Sequence, residues 1–155
     1  MCIRDRIIVH CTATPKGREV DVEEIRKWHV EERGWSDVGY HFHIKLDGTL
    51  QEARPIERTG AHCAGQNFCS IGISNAGGMT KDMKGAKDAR TPEQTDALTD
   101  ILHELKEQYP KAKIYGHRDF SVKACPSFDA RSEYEYEEVN VYLLIVQLKW
   151  RFYYE

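Results

Sequence analysis

The chain has 155 residues, of which 41% are hydrophobic and 30% charged, and its formal net charge at pH 7 is -3. This length fits one domain, and the balance of residues is typical of a folded protein rather than a disordered one. The negative charge argues against nucleic acid as the main partner, because phosphate binding favours a basic surface. Five cysteines, an odd number, favour a reducing compartment.

Neither a membrane span nor a signal peptide is recognisable in the sequence. The longest apolar run, residues 141–146, is far too short to cross a bilayer, and residues 7–9 are too short for the core of a signal peptide. We therefore expect a protein that is made in the cytoplasm without a signal peptide and has no membrane partner.

Strand-like and helix-like patterns alternate along the first half, which predicts a single α/β (α+β) domain. The apolar residues 7–9 predict a buried strand that ends at His10. A first helix is predicted from Asp21, whose carboxylate can cap it, to Gly34. Alternating polarity predicts a strand at residues 40–46, and Asp47-Gly48 predicts a tight turn into a partner strand at residues 49–53.

The second half carries the strongest helix signal. Thr91-Pro92-Glu93-Gln94 offers a cap, a proline in the first turn and a capping-box glutamine, so a helix is predicted from there to Pro110. Short strands are predicted at residues 70–74 and 112–115. The composition changes after residue 130, so we expect a domain at residues 1–130. Residues 131–155 form a C-terminal tail of unknown role that packs on the domain or extends from it.

Two predicted strands therefore lead into a histidine, His10 and His117, and Cys125 follows the second one by eight residues. Imidazole nitrogens and a thiolate are ligands that suit zinc, and three protein ligands leave the fourth position open for water. Zinc can lower the pKa of such a water to about 7. From spacing alone, a core histidine, a loop histidine and a buried thiol explain the pattern equally well.

Six motifs that include these residues occur in order along the chain. They are Val9-His10-Cys11-Thr12-Ala13-Thr14, Gly39-Tyr40-His41-Phe42, Asp47-Gly48-Thr49, Gly60-Ala61-His62, Ser70-Ile71-Gly72-Ile73, and Gly116-His117-Arg118-Asp119 through Cys125-Pro126-Ser127-Phe128-Asp129. Over about residues 7–130 the sequence resembles the zinc-dependent N-acetylmuramoyl-L-alanine amidases (amidase type 2) of the phage-lysozyme and peptidoglycan-recognition-protein superfamily. The resemblance implies a central mixed β-sheet flanked by helices, with a groove for the peptide stem of peptidoglycan.

The resemblance also implies an activity. It is hydrolysis of the amide bond between the lactyl group of N-acetylmuramic acid and L-alanine, with one Zn²⁺ ion as cofactor. We expect a monomeric phage or prophage endolysin that reaches the cell wall after release from the cytoplasm; a host-encoded enzyme of cell-wall recycling is the alternative.

The residue roles implied by the resemblance fall into three groups. His10, His117 and Cys125 match the zinc ligands. Tyr40 and Lys123 match catalytic residues, and their chemistry suits that role because an ammonium can stabilise an oxyanion and a phenol can orient water. Weaker candidates contact substrate in the groove: His62, Asn67 and Arg54.

Simpler structural roles remain open for several of these residues. Tyr40 could pack in the core, and Lys123 could be a solvated loop residue. His41 and His43 share one strand face and could chelate a metal, but we expect them to be structural. His29 and His103 lie on predicted helices, so we expect them at the surface or at an interface.

Other functions compete with the amidase hypothesis. A non-catalytic peptidoglycan-binding module is the main alternative, although such relatives commonly lack the cysteine ligand. Regulation of a polymerase is a possible additional role, but nothing in the charge pattern requires it. A glycosidase is disfavoured because no pair of carboxylates stands in a suitable context.

Overall fold

The computed structural model describes residues 4–135 of the chain. The strands in this range are Arg6–Cys11 (β1), Thr14–Pro15 (β2), Phe42–Ile44 (β3), Leu50–Glu52 (β4), Ser70–Asn75 (β5), Gly78–Met79 (β6) and Lys113–Gly116 (β7). The named helices are Val22–Arg26 (α1), which continues as a π-helical segment at Lys27–Glu32, and Pro92–Gln108 (α2). Residues 130–135, at the end of the described range, are also helical. Short 3-10 turns lie at Asn67–Cys69 and His117–Asp119.

Among the described residues, five strands form a central mixed sheet in the order β4-β3-β5-β1-β7. β1 runs parallel to both β5 and β7, and β3 runs parallel to β5, whereas β4 pairs with β3 in the antiparallel direction. β1 and β5 are buried along nearly their whole length, as expected for central parallel strands that are covered on both faces. This arrangement confirms the predicted α/β class with a central mixed sheet.

The two faces of the sheet carry different apolar layers. On one face, Ile7 and Val9 of β1 pack with Leu98 and Leu102 of α2. The other face is covered by the α1 region, where Ile25 belongs to a second cluster. Successive side chains of a strand point to opposite faces. Since Val9 faces α2, the next residue, His10, lies on the α1 side of the sheet.

Local signals in the sequence set the ends of both helices. The Asp21 carboxylate accepts a hydrogen bond from the Glu24 N–H at 2.8 Å and begins α1. At α2, Thr91 Oγ1 accepts from the Gln94 N–H at 3.0 Å while the Gln94 side chain accepts from the Thr91 N–H at 3.1 Å. This reciprocal capping box is the one that the sequence predicts. Within the described residues, no helix is long and apolar enough to cross a membrane.

Two features differ from the sequence predictions. The predicted strand at residues 40–46 pairs as β3 over three residues only, because the chain turns back directly after it: the Gly48 N–H donates to Lys45 O at 3.0 Å. Gly48 adopts a positive φ of 82°, which this turn requires. The small parallel pair of β2 and β6 was not predicted at all.

The boundary at residue 130 stays a prediction, and residues 136–155 of the expected tail lie outside the described residues. Directly before them, Tyr134 is 3% exposed and packs in the core cluster with α2. Glu133 accepts a salt bridge from Arg90 at 3.0 Å. The described part of the tail therefore packs on the domain.

Candidate metal centre and groove

The three predicted metal ligands meet at one edge of the sheet. β1 and β7 are parallel neighbours whose register pairs Val9 with Gly116, so His10 and His117 follow side by side at the carboxyl ends of the strands. This edge is where open α/β sheets commonly bind ligands. Cys125 returns to the same edge, and one ligand atom from each of the three residues lies within 4.8 Å of the others.

The distances within this cluster suit a tetrahedral metal site. His10 Nδ1 lies 3.8 Å from the sulfur of Cys125. Tetrahedral zinc with bonds of about 2.0 to 2.3 Å holds such atoms about 3.5 Å apart. The Cys11 N–H also donates to the Cys125 sulfur at 3.2 Å, which favours the thiolate form. Two imidazoles and one thiol are therefore positioned to bind a single ion.

The protonation of the histidines also suits metal binding. Burial lowers the pKa of His10 well below its usual value, and the nearby rings of His62 and His117 lower it further. Burial likewise lowers the pKa of His117. Both imidazoles are thus neutral near pH 7, as a metal ligand must be. The neighbouring Cys11 thiol, and then burial, raise the pKa of Cys125, which a bound cation would counteract.

A cavity of about 460 Å³ opens beside these ligands; we call it the groove. Among the residues that line it are His117 and five others with polar or aromatic side chains, which are Trp35, His62, Asn67, Phe120 and Lys123. His117 and Cys125 are half-buried, whereas His10 is buried. The groove therefore gives a substrate access to the side of the cluster that is open to solvent.

The two predicted catalytic residues lie close to the ligands. The Tyr40 ring centroid is 5.2 Å from that of His10, and burial raises the pKa of the Tyr40 hydroxyl above its usual value, so the phenol keeps its proton. Lys123 lines the groove together with His117. Its positive charge contributes to lowering the pKa of that histidine, after burial. The structure thus brings Tyr40 and Lys123 together with the predicted metal ligands.

The three predicted substrate contacts separate in the structure. His62 and Asn67 line the groove, but the Asn67 side-chain oxygen accepts from the backbone N–H groups of His62 and Cys63 at 2.8 and 2.9 Å. Asn67 therefore shapes the groove wall with its oxygen. His62 lies against His10, with 2.9 Å between its Nδ1 and the Nε2 of His10.

Arg54 does not lie in the groove, contrary to the expectation from the sequence. Its side chain is 8% exposed and borders a separate cavity next to β3 and β4. Its guanidinium donates to the backbone carbonyls of Val38 at 2.7 Å, Asp37 at 3.4 Å and Thr59. Because these donors are used to hold loops together, the arginine is structural.

The remaining histidines have structural environments. His41 accepts from the Gly72 N–H at 3.0 Å and pairs through Nε2 with Arg58 O at 2.9 Å. His43 pairs with Ser74 Oγ at 2.8 Å and with Val20 O at 2.9 Å. The expectation that these two histidines are structural agrees with these contacts.

The expectation that His29 lies at the surface is wrong. Its side chain is 5% exposed, it accepts from the Gly39 N–H at 3.0 Å, and its ring contacts Trp35. His29 shares the buried helix face of Val22 and Ile25, to which its spacing along the chain already assigns it. His103 is exposed on α2, as expected.

Comparison with known proteins identifies the family. Residues 3–128 match the family of N-acetylmuramoyl-L-alanine amidases. The endolysin of Enterobacteria phage K11 is 49% identical over 125 residues, which are 80% of this chain and 81% of the relative. The endolysin of Escherichia phage T7 is 45% identical over 136 residues, covering 87% of this chain and 88% of the relative.

Solved structures lead to the same family. The N-acetylmuramoyl-L-alanine amidase LysC from Clostridium intestinale superimposes with a TM-score of 0.72 at 27% identity, covering 90% of this chain and 87% of that one. Fold, family match and relatives agree with one another and favour an enzyme over a non-catalytic binding module. The chain therefore belongs to the N-acetylmuramoyl-L-alanine amidase family, and it is a peptidoglycan amidase related to the phage endolysins.

Proposed function

We propose that this amidase is zinc-dependent and that His10, His117 and Cys125 hold a single Zn²⁺ ion. The observation that carries the proposal is the convergence of their three donor atoms within 4.8 Å at the end of the groove. Two imidazoles and a thiolate suit zinc better than a hard cation such as Mg²⁺, which prefers oxygen ligands. Three protein ligands leave one position open, as in catalytic rather than structural zinc sites.

The bond that the enzyme cleaves is the amide between the lactyl group of N-acetylmuramic acid and L-alanine. When bound, zinc would polarise the carbonyl of this amide and lower the pKa of a water molecule. The groove supplies polar side chains from His62 and Lys123 and aromatic surfaces from Trp35 and Phe120. This mixture suits a peptide stem with an attached sugar, whose surface is partly polar and partly apolar.

Lys123 stabilises the negative charge that develops on the carbonyl oxygen during attack. Its side chain is exposed at the wall of the groove beside His117, where a substrate carbonyl next to the metal site would lie. A positioned ammonium acts most strongly on charge that appears only in the transition state. The role of Lys123 is therefore to raise the turnover rate rather than to hold the metal.

Tyr40, whose ring centroid lies 5.2 Å from that of His10, acts as a hydrogen-bond donor. Because burial raises the pKa of its hydroxyl, the phenol stays protonated over the working pH range. A protonated phenol can orient the attacking water through a hydrogen bond.

The proposal also includes a monomeric enzyme that is made in the cytoplasm and reaches the cell wall after release.

Product analysis on purified peptidoglycan tests this function. New alanine amino termini and new reducing sugars are measured with native protein, with chelator-treated protein, and after one equivalent of Zn²⁺ is returned. We expect amino termini that disappear with the metal and return with zinc but not with Mg²⁺. Reducing sugars would instead indicate a glycosidase. Amino termini that persist after complete metal removal would overturn the zinc dependence.

A further inference from the structure

The imidazole of His62 lies directly behind the proposed ligand His10. His62 Nδ1 and His10 Nε2 are 2.9 Å apart, and the two rings meet edge to face with an interplanar angle of 87°. On its far side, His62 Nε2 lies 3.2 Å from Ser70 Oγ. Two hydrogen bonds therefore connect His10 of β1 through His62 to Ser70 of β5.

The position of the His62 ring is fixed by its surroundings. A Cβ atom at Gly60 would lie 2.6 Å from the ring carbon Cδ2, and one at Gly72 would lie 2.6 Å from the ring carbon Cγ. The ring thus occupies a slot that is open only because both residues are glycines. The backbone N–H of His62 is held at 2.8 Å by the side-chain oxygen of Asn67. A side chain that only contacts substrate does not need such confinement.

A metal bound at His10 Nδ1 would determine which nitrogen carries each proton. His10 Nδ1 faces the sulfur of Cys125 at 3.8 Å, and it must be unprotonated to bind a metal. The proton of the neutral His10 ring is then on Nε2 and is donated to His62 Nδ1. Since His62 accepts at Nδ1, its own proton is on Nε2 and is donated to Ser70 Oγ.

We propose that His62 is a positioning residue for the metal ligand His10, and that its main role is not contact with substrate. The inference rests on the proposed zinc site. By accepting the Nε2 proton, His62 holds His10 in the tautomer that presents Nδ1 to the metal and makes that nitrogen more basic. Groups that orient a ligand histidine in this way commonly contribute about 10- to 100-fold to metal affinity.

Two variants that differ in the position of one acceptor test the proposal. In His62→Asn the side-chain oxygen occupies nearly the place of Nδ1, whereas in His62→Gln it occupies the place of Nε2, away from His10. The dissociation constant for Zn²⁺ is measured by competition with a chromophoric chelator, without any substrate. We expect His62→Gln to bind zinc about 10- to 100-fold more weakly and His62→Asn to stay within about threefold of the native protein.

A spectroscopic measurement and a control accompany the affinities. The visible absorption of the Co²⁺-substituted protein reports ligand geometry, so we expect it to change in His62→Gln and to stay native-like in His62→Asn. Trp35→Leu removes a different groove side chain that does not contact the ligands, and it should leave zinc affinity unchanged. Circular dichroism of each metal-free variant verifies that it is folded.

The possible outcomes separate this inference from the proposed function. If native protein binds no zinc, the proposed function itself fails. If native protein binds zinc and His62→Gln binds it equally well, the inference alone is overturned. A raised KM in both variants, with unchanged zinc affinity, would likewise return His62 to the role of a substrate contact.

Discussion

His10 at the end of β1 is as buried as His41, directly before β3, and His43, within it, but its partners differ; we call the latter two the β3 histidines. Both ring nitrogens of His41 and of His43 contact a backbone group or a serine hydroxyl. His10 has one nitrogen against His62, while the other faces the sulfur of Cys125. His10, the proposed ligand, therefore differs from these two structural histidines in having one nitrogen that faces only a thiol, and not in its burial.

The largest expected effect comes from removing the proposed ligand Cys125, whose sulfur faces His10 at the end of β1. Cys125→Ser should lose bound zinc and lower the rate of amide hydrolysis by at least about a thousandfold, because metal polarisation contributes several kcal/mol to the transition state. The metal content of dialysed protein and the release of alanine amino termini measure the two effects.

A change on β3 provides the matching control. His43→Gln should keep its zinc and its rate while its free energy of unfolding falls by about 1 to 3 kcal/mol, since buried hydrogen bonds are lost. If Cys125→Ser retained full zinc, Cys125 would leave the ligand set. If His43→Gln lost zinc, the distinction between the two regions would fail.

Replacing Lys123 is expected to lower the rate less. This residue lines the groove beside His117 but is not a proposed metal ligand. Lys123→Ala should lower kcat by about a hundredfold or more through lost stabilisation of the oxyanion, with zinc content unchanged. Lys81→Ala, which removes an exposed lysine away from the groove, is the control for charge. A rise in KM with kcat intact would instead make Lys123 a binding residue.

Local signals made much of the fold predictable. The Asp21 cap, the Thr91–Gln94 capping box, the apolar run of β1 and the Asp47-Gly48 turn each involve residues within a few positions of one another, and each formed the expected element. The convergence of His10 and His117 was also predictable, because strands that end in histidine meet at one edge when they are parallel neighbours.

Features that depend on distant residues could not be predicted. β2 and β6 are two residues long and are defined only by their pairing across the chain. Arg54 resembles a groove residue until the loops that accept its hydrogen bonds are known. The contact between His62 and His10 joins residues 52 positions apart, and the glycines that make room for it carry no signal of their own.

A substitution at Gly116 tests how precisely Cys125 must be positioned, without removing a proposed ligand. A Cβ atom at this position would lie 2.8 Å from Cδ of Pro126, which directly follows Cys125. Since the proline ring cannot rotate away, Gly116→Ala should displace Cys125 and weaken zinc binding by about tenfold, the effect of overpacking by 1 to 2 kcal/mol.

The matched control for this change is Gly85→Ala, where a Cβ atom would meet nothing within 4 Å. Titration of both variants with zinc, followed by competition with a chelator, measures the difference. Equal affinities in Gly116→Ala and Gly85→Ala would show that the edge tolerates movement of the cysteine, and that its geometry is less constrained than the structure indicates.

The last expected effect concerns stability rather than activity, namely its dependence on pH through a β3 histidine. Burial lowers the pKa of His41 to about 4, while an unfolded histidine titrates near about 6.5. Above pH 6.5 the ring is neutral in both states, so its contribution to stability is complete. As the pH falls from 6.5 toward 4, only the unfolded state gains the proton, and the free energy of unfolding decreases by up to about 1.4 kcal/mol per pH unit.

Replacing the titrating ring isolates this contribution. His41→Gln should be less stable than the native protein at pH 7.5, but its stability should depend less steeply on pH between 6.5 and 4.5, by up to one proton. Urea unfolding at several pH values measures both slopes, with His103→Gln on the exposed face of α2 as the control. An unchanged slope in His41→Gln would mean that the ring takes up its proton as readily in the folded state as in the unfolded one. The hydrogen bond from the Gly72 N–H would then fail to keep the ring neutral, and the contrast between the β3 histidines and His10 would rest on His43 alone.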